Sequence, residues 1–143
     1  MPIVDIVDTP IDVYKLHEAV KHPQAGAVVL FSGITRDSFE GKHVKLLSYD
    51  CYKPRALRTL NEIAHKAETM PGVKGVALVH RIGEVPLSSE SVVIAVAAAH
   101  RREGWDAGEW VLEEVKRQVE IWKQEVYEDD TVSWINGCER CRN

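Results

Sequence analysis

The apolar run Ser91–Ala99 stops abruptly at His100-Arg101-Arg102, and about twenty residues without a proline follow it. No other stretch constrains the fold as tightly. It predicts a strand that delivers polar and cationic side chains to the mouth of a long helix reaching to about Glu125. At that mouth, unpaired backbone N–H groups and the positive end of the helix dipole favour an anion. Val111, Val115, Val119 and Trp122, with Trp105 and Ala107 upstream, form an apolar stripe that anchors the helix on a core. On such a helix Lys116 and Lys123 stand only about 20° apart in azimuth and roughly 10 Å apart along the axis, so two amines share one face. Glu113, Lys116, Glu120 and Lys123 also follow one another at i+3 and i+4 spacing. An ordinary solvated ladder of ion pairs, each worth about 0.2–0.5 kcal/mol, is therefore the competing reading.

At 143 residues and 45% hydrophobic content, the chain is long enough to bury one core without metals or disulfides. Residues 1–143 are read as a single catalytic domain, with 136–143 a flexible tail. A net charge of −4 speaks against nucleic acid as the main ligand. No apolar stretch approaches a membrane span and Met1–Asp8 has no basic flank or apolar signal core, so no membrane partner and a cytosolic location are expected. Of the three cysteines, Cys51 lies in an alternating segment and is expected to be a small buried hydrophobe. Cys138 and Cys141 form Cys-Glu-Arg-Cys without the second ligand pair that zinc needs or the helix head that a redox pair needs, so no metal is expected.

Taken in order, Ile3–Val7 reads as a short strand, and Thr9-Pro10 as the N-cap and first position of a helix ending near His22-Pro23. Gly26–Arg36 is a long strand with a bulge or close approach at Gly33 and Arg36 at its polar end. Asp37–Lys42 is expected to be an exposed, mobile connection into a second strand, His43–Tyr52, the two strands making a hairpin. Pro54 opens a second helix that stops before Pro71-Gly72. Strands follow at Val73–Ile82 and Ser91–Ala99, then the long helix and a last strand at Thr131–Ile135. The order β-α-β-β-α-β-β-α-β points to an α+β sandwich, with helices stacked on a mostly antiparallel sheet.

Neither Gly-x-Ser-x-Gly nor a Walker or dinucleotide glycine pattern occurs, and no cysteine sits at a strand-to-helix turn. What gathers instead is His100, Arg101, Arg102, Lys116 and Lys123, with Arg36 a further candidate. In a chain that is acidic overall, this suits a small substrate bearing phosphate or carboxylate. Crowded cations disfavour an ammonium, so a lysine among them can serve as base or nucleophile. His80-Arg81 repeats the His-Arg pair one strand earlier and shows how readily chance supplies it. Two other classes compete. Arg101-Arg-Glu-Gly104-Trp-Asp106 nearly spells the pyrophosphate loop of acyl-CoA-dependent N-acetyltransferases, although Asp106 would repel phosphate. A non-catalytic module could use the same cations to bind an anionic metabolite or an acidic tail.

Gly26–Arg36, His80-Arg81-Ile-Gly83-Glu84, Ala99-His100-Arg101, Lys116 and Trp122-Lys123-Gln-Glu125 together resemble the successive motifs of the molybdopterin synthase catalytic (large) subunit family, over roughly Gly26 to Trp134. The resemblance implies an α/β hammerhead fold and a heterotetramer: a central dimer of large subunits with a small ubiquitin-like sulfur carrier at each end. It implies a sulfurtransferase that takes sulfur from the carrier's C-terminal thiocarboxylate to cyclic pyranopterin monophosphate, making the dithiolene of molybdopterin with no cofactor of its own. By its motifs Lys116 would be catalytic and Lys123 would support it. His100, Arg101, Lys123, Gln124 and Glu125 would line the substrate pocket, and Arg36 would help hold phosphate or pterin. Many members carry a proline shortly before the Trp-Lys motif, where this chain has Val119-Glu120.

Overall fold

The structure, a computed structural model, describes residues 1–39 and 41–136. The first half of the chain runs β1 (Ile3–Val7), α1 (Val13–Val20), β2 (Ala27–Ile34), β3 (Ser38–Phe39), β4 (Lys42–Cys51) and α2 (Lys53–Glu68). The second half runs β5 (Val73–Arg81), β6 (Gly83–Pro86), β7 (Glu90–Ala98), α3 (Arg101–Gln118), β8 (Ile121–Tyr127) and β9 (Val132–Asn136). Four strands form one sheet in the order β1-β5-β7-β2, in which only the β1–β5 pair is parallel.

The unbroken apolar run of β7 is explained by helices on both faces of this sheet. Val92, Ile94 and Val96 pack with Val76, Leu78, Leu60 and Val111 beneath α2 and α3. The alternate residues Val93, Ala95 and Ala97 pack with Ala77, Val79 and Leu16 beneath α1. A strand covered on both sides has no polar face to show. Helix α3 comes very close to the sheet: a Cβ on Gly104 would lie 2.8 Å from Val29 Cγ2, so glycine is required for that approach.

The second sheet runs β3-β4-β8-β9, with β6 also paired to β4. Its inward face is set by the β4–β8 register, Tyr49 opposite Lys123 and Leu47 opposite Glu125. Side chains alternate along a strand, so Ile121, Lys123 and Glu125 share that face and Trp122 and Gln124 lie on the other.

Several expectations need correction. The long helix ends at Gln118, and Ile121–Tyr127 is a strand, so Lys116 and Lys123 do not share a helix face. Val119 is already extended (φ −76°, ψ 131°), and the β-branched Val119 and Ile121 suit the strand that follows. The ladder reading fails for the same reason, since Glu120 turns back to Arg55 and Thr59. Val111, Val115 and Ala107 are buried as the stripe requires, but Trp105 and Trp122 are exposed. Strand β2 pairs with β7, not with β4, while Asp37–Lys42 holds a short strand, β3, paired to the start of β4. The first helix starts at Val13 with Asp12 as its N-cap, whose carboxylate accepts from the Lys15 N–H at 3.1 Å. Beyond the expected order, the described residues add strands β3, β6 and β8. Cys51 is partly buried against the core, and burial pushes its thiol up. Cys138, Cys141 and all but the first residue of the expected tail lie outside the described residues.

Candidate functional site

A cavity of about 300 Å³ opens where the end of α3, the far end of β2 and the second sheet meet. Arg36, His80, Lys116, Lys123 and Glu125 line it together with Tyr49. Each arrives by a different route.

Arg36 follows β2, whose register with β7 shifts at Gly33/Ile34. The bulge is locked from several sides. Ser91 Oγ donates to the Gly33 carbonyl at 3.2 Å, and buried Thr35 donates from Oγ1 to the Val85 carbonyl at 3.3 Å. The Thr35 N–H donates to Ser89 at 3.2 Å while its carbonyl accepts from the Ser88 N–H at 3.0 Å. A Cβ on Gly33 would meet Val92 Cγ1 at 3.0 Å and Phe31 at 3.3 Å, so the sequence signal of a close approach was sound.

Lys116 stands in the last turn of α3, where the carbonyl end of the helix dipole favours a cation. Its neighbour Val115 is buried and holds that turn on the core. Lys123 comes from β8. The link between the two is fixed by Glu120, whose carboxylate accepts from Arg55 Nε at 2.8 Å and Thr59 Oγ1 at 2.9 Å, both on α2.

Two groups of the opposite character complete the wall. Glu125 is only 2% exposed, and its Oε1 has no hydrogen-bond partner. His80 is buried, and its ring meets that of Tyr49 edge-on, with centroids 5.1 Å apart. Its Nδ1 lies 2.9 Å from the Arg81 carbonyl, which can only accept, so the proton sits on Nδ1. Burial pushes the imidazole down to about 4; the Arg81 carbonyl works against that shift and the Lys123 charge with it. His80 is thus neutral at pH 7.

Of the sequence candidates, Arg36, Lys116, Lys123 and Glu125 converge on this cavity, and His100, Arg101 and Gln124 do not. His100 caps the far end of α3. The mouth of that helix is already occupied by its own Glu103, whose carboxylate accepts from the His100 N–H at 3.1 Å and lies 3.2 Å from His100 Nδ1. An external anion would have to displace it. Arg101–Asp106 is helical from its first residue, so it is not a pyrophosphate-cradling loop. His80, set beside the later His-Arg pair as a chance repeat and given no role in the site, lines the cavity as well. The available signal was its place in the alternation Val76, Leu78, His80, which sets an imidazole on a core-facing apolar row.

The sequence profile of the family described as "MoaE protein" matches residues 6–118. The chain belongs to the MoaE family. Among its relatives, the "Molybdopterin synthase catalytic subunit" of Pyricularia oryzae is 47% identical over 131 residues, covering 92% of this chain and 72% of that protein. The protein of the same name from Aspergillus clavatus is 52% identical over 118 residues, covering 82% of this chain and 60% of that protein. This MoaE-family chain thus spans between 60% and 72% of the length of these two fungal relatives. Among solved structures, molybdopterin synthase from Staphylococcus aureus superposes with a TM-score of 0.85 at 35% identity, covering 91% of this chain and 94% of that one. The mixed α+β, largely antiparallel architecture read from the sequence is therefore the MoaE architecture. Arg36, His80 and Lys116 fall inside the segment that matches the MoaE profile, and Lys123 and Glu125 lie beyond it.

Proposed function

We propose that this chain is the catalytic subunit of a molybdopterin synthase. It takes sulfur from the C-terminal thiocarboxylate of a small carrier subunit and transfers it to cyclic pyranopterin monophosphate. The observation that carries this reading is the meeting of Arg36, Lys116 and Lys123 in one cavity of an otherwise acidic chain. Both reactants are anions, and a partly enclosed site strengthens each cation's hold on them. In each transfer the thiocarboxylate sulfur bonds to an oxygen-bearing carbon of the substrate, the carbon–oxygen bond there breaks with its oxygen leaving as water or on phosphate, and water then cleaves the acyl–sulfur bond, so the carrier leaves as a carboxylate and the sulfur stays on the substrate as a thiolate. Sulfur arrives on the partner, and among the described residues no cysteine lines the cavity. Lys116 is assigned to the thiocarboxylate and the proton movement, Lys123 to supporting it, and Arg36 to the substrate's phosphate.

His100 and Arg101 enter this scheme through a second copy of the chain. Lys116 lies fifteen residues beyond Arg101 on one continuous helix, a rise of roughly 22 Å. Within one molecule these groups cannot meet around one substrate. A central dimer in which each copy lends the start of α3 to its neighbour's cavity would bring them together.

The test is reconstitution of the full chain with thiocarboxylated carrier and cyclic pyranopterin monophosphate, with dithiolene product as the readout. Lys116→Ala is expected to lower the rate by about 10²–10⁴-fold while carrier still binds. Unchanged product formation in that variant would refute the assignment, and carrier binding without product in the parent protein would favour a non-catalytic module.

A further inference from the structure

His100 is the N-cap of α3, and histidine is not among the residues favoured at that position, where a side-chain oxygen ordinarily accepts from the helix's own N–H groups. Here the imidazole faces a carboxylate instead. Glu103 Oε1 accepts from the His100 N–H at 3.1 Å and lies 3.2 Å from His100 Nδ1. The first of these bonds suffices to cap the helix, and the second fixes the ring. A carboxylate can only accept, so in the neutral imidazole the proton sits on Nδ1 and Nε2 is the nitrogen left for an outside partner. The His100 side chain is 82% exposed and that of Glu103 only 30%, so the carboxylate is the anchored member of the pair and the imidazole the presented one.

A second element seats the carboxylate. Gly72, in the turn before β5, has a φ of +78°, and a Cβ there would fall onto the Glu103 carboxylate. The Gly72 carbonyl accepts from the Ala99 N–H at 2.8 Å, which ties this turn to the residue just before His100. Gly72 thus takes a left-handed backbone that suits glycine and leaves the space that Glu103 fills.

We propose that Glu103 is a positioning residue for His100: it holds the neutral imidazole in its Nδ1–H form, so that Nε2 is the atom presented to the neighbouring copy's cavity. This deepens the functional reading above and rests on it, since His100 reaches a cavity only through a second copy of the chain. There Nε2 acts as a hydrogen-bond acceptor, which the arginine and lysine side chains assigned to the site cannot be while they are charged.

Long-range proton–nitrogen NMR of the full chain with isotopically labelled histidine, recorded above neutral pH, reads the tautomer and needs neither carrier nor substrate. A His100→Ala spectrum assigns the ring. The parent protein should show the Nδ1–H form, and Glu103→Ala should move the ring towards the Nε2–H form. Glu103→Gln can still accept through its amide oxygen and should keep the Nδ1–H form in part. An Nε2–H ring in the parent protein, or one indifferent to Glu103→Ala, overturns the proposal. In the dithiolene assay Glu103→Ala should lower turnover by about tenfold or more with carrier binding unchanged, and should cost nothing further in a His100→Ala background. A loss of equal size in both backgrounds would mark a plain helix cap and overturn the positioning role. A thermal melt shows whether each variant is folded; should the alanine variant not be, the same cycle runs with Glu103→Gln, whose smaller loss must also vanish without His100. Dithiolene formation with a tautomer indifferent to Glu103 would remove the positioning role and leave the reaction. A Glu103-dependent tautomer in a parent protein that makes no dithiolene would remove the reaction, and with it the use of Nε2 in the neighbour's cavity, and leave the pair.

Discussion

The dimeric scheme makes a quantitative prediction about mixtures of two defective proteins. Arg101→Ala and Lys116→Ala each remove one of the cations assigned to the site, and each alone should be nearly inactive. The roughly 22 Å rise between the two positions along α3 means that no single chain supplies both to one cavity. Suppose each cavity takes Lys116 from its own chain and Arg101 from its neighbour. In a mixed dimer one cavity then inherits both defects, and the other is fully intact. Equal amounts exchanged at random give half of the dimers mixed, each with one working cavity of two, so about a quarter of the parent activity returns. Co-expression of the two variants, followed by dithiolene assay against carrier and substrate, measures this. Recovery near zero, with both singles inactive and both folded, would refute the shared site. An Arg101→Ala protein that is fully active would remove Arg101 from the mechanism altogether.

Other consequences follow from single contacts. Glu120→Ala removes a half-exposed ion pair and a hydrogen bond from the α3–β8 link; the loss should be about 1 kcal/mol, a melting shift of roughly 3–4 °C. Activity should fall further than that suggests, with Glu120→Gln restoring part of it through Thr59. His80 has its imidazole depressed from 6.5 to about 4 in the fold, so the unfolded chain binds the extra proton first as pH drops. Its contribution is intact above pH 6.5 and is lost progressively down to about 4, amounting to about 3 kcal/mol. His80→Phe should flatten that part of the stability–pH curve in denaturant titrations. Leu60→Ala, at a site with no solvent exposure under the sheet, should cost about 2–5 kcal/mol by chemical denaturation without shifting the midpoint of carrier binding.

How much of this was legible beforehand depended on whether a feature is written in local pattern or in tertiary contact. The strand before α3, the helix after Pro54 and the irregularity at Gly33 are local, and each is found where the pattern puts it. The pairing of β2 with β7 is not local, since the hairpin rule favours the next strand in sequence. The end of α3 was missed because Glu113 to Lys123 satisfies helical charge spacing as well as it satisfies a helix followed by a strand. What decides between them is Glu120, whose partners Arg55 and Thr59 lie some sixty residues away in sequence. No pattern within the segment announces a contact of that range.

The same break brings the two lysines to one cavity by a route other than a shared helix face. On one straight helix they would stand stacked along its flank, both facing the same solvent. With α3 ending at Gln118, Lys116 projects from a helix terminus while Lys123 projects from the second sheet, beside Glu125 and opposite Tyr49. Two elements that meet at an angle can enclose a substrate, which a single helix face cannot. The turn at Val119-Glu120 thereby converts a row of like charges into the corner of a cavity, and it brings in the acceptors of β5 and β8 that a cationic row would lack.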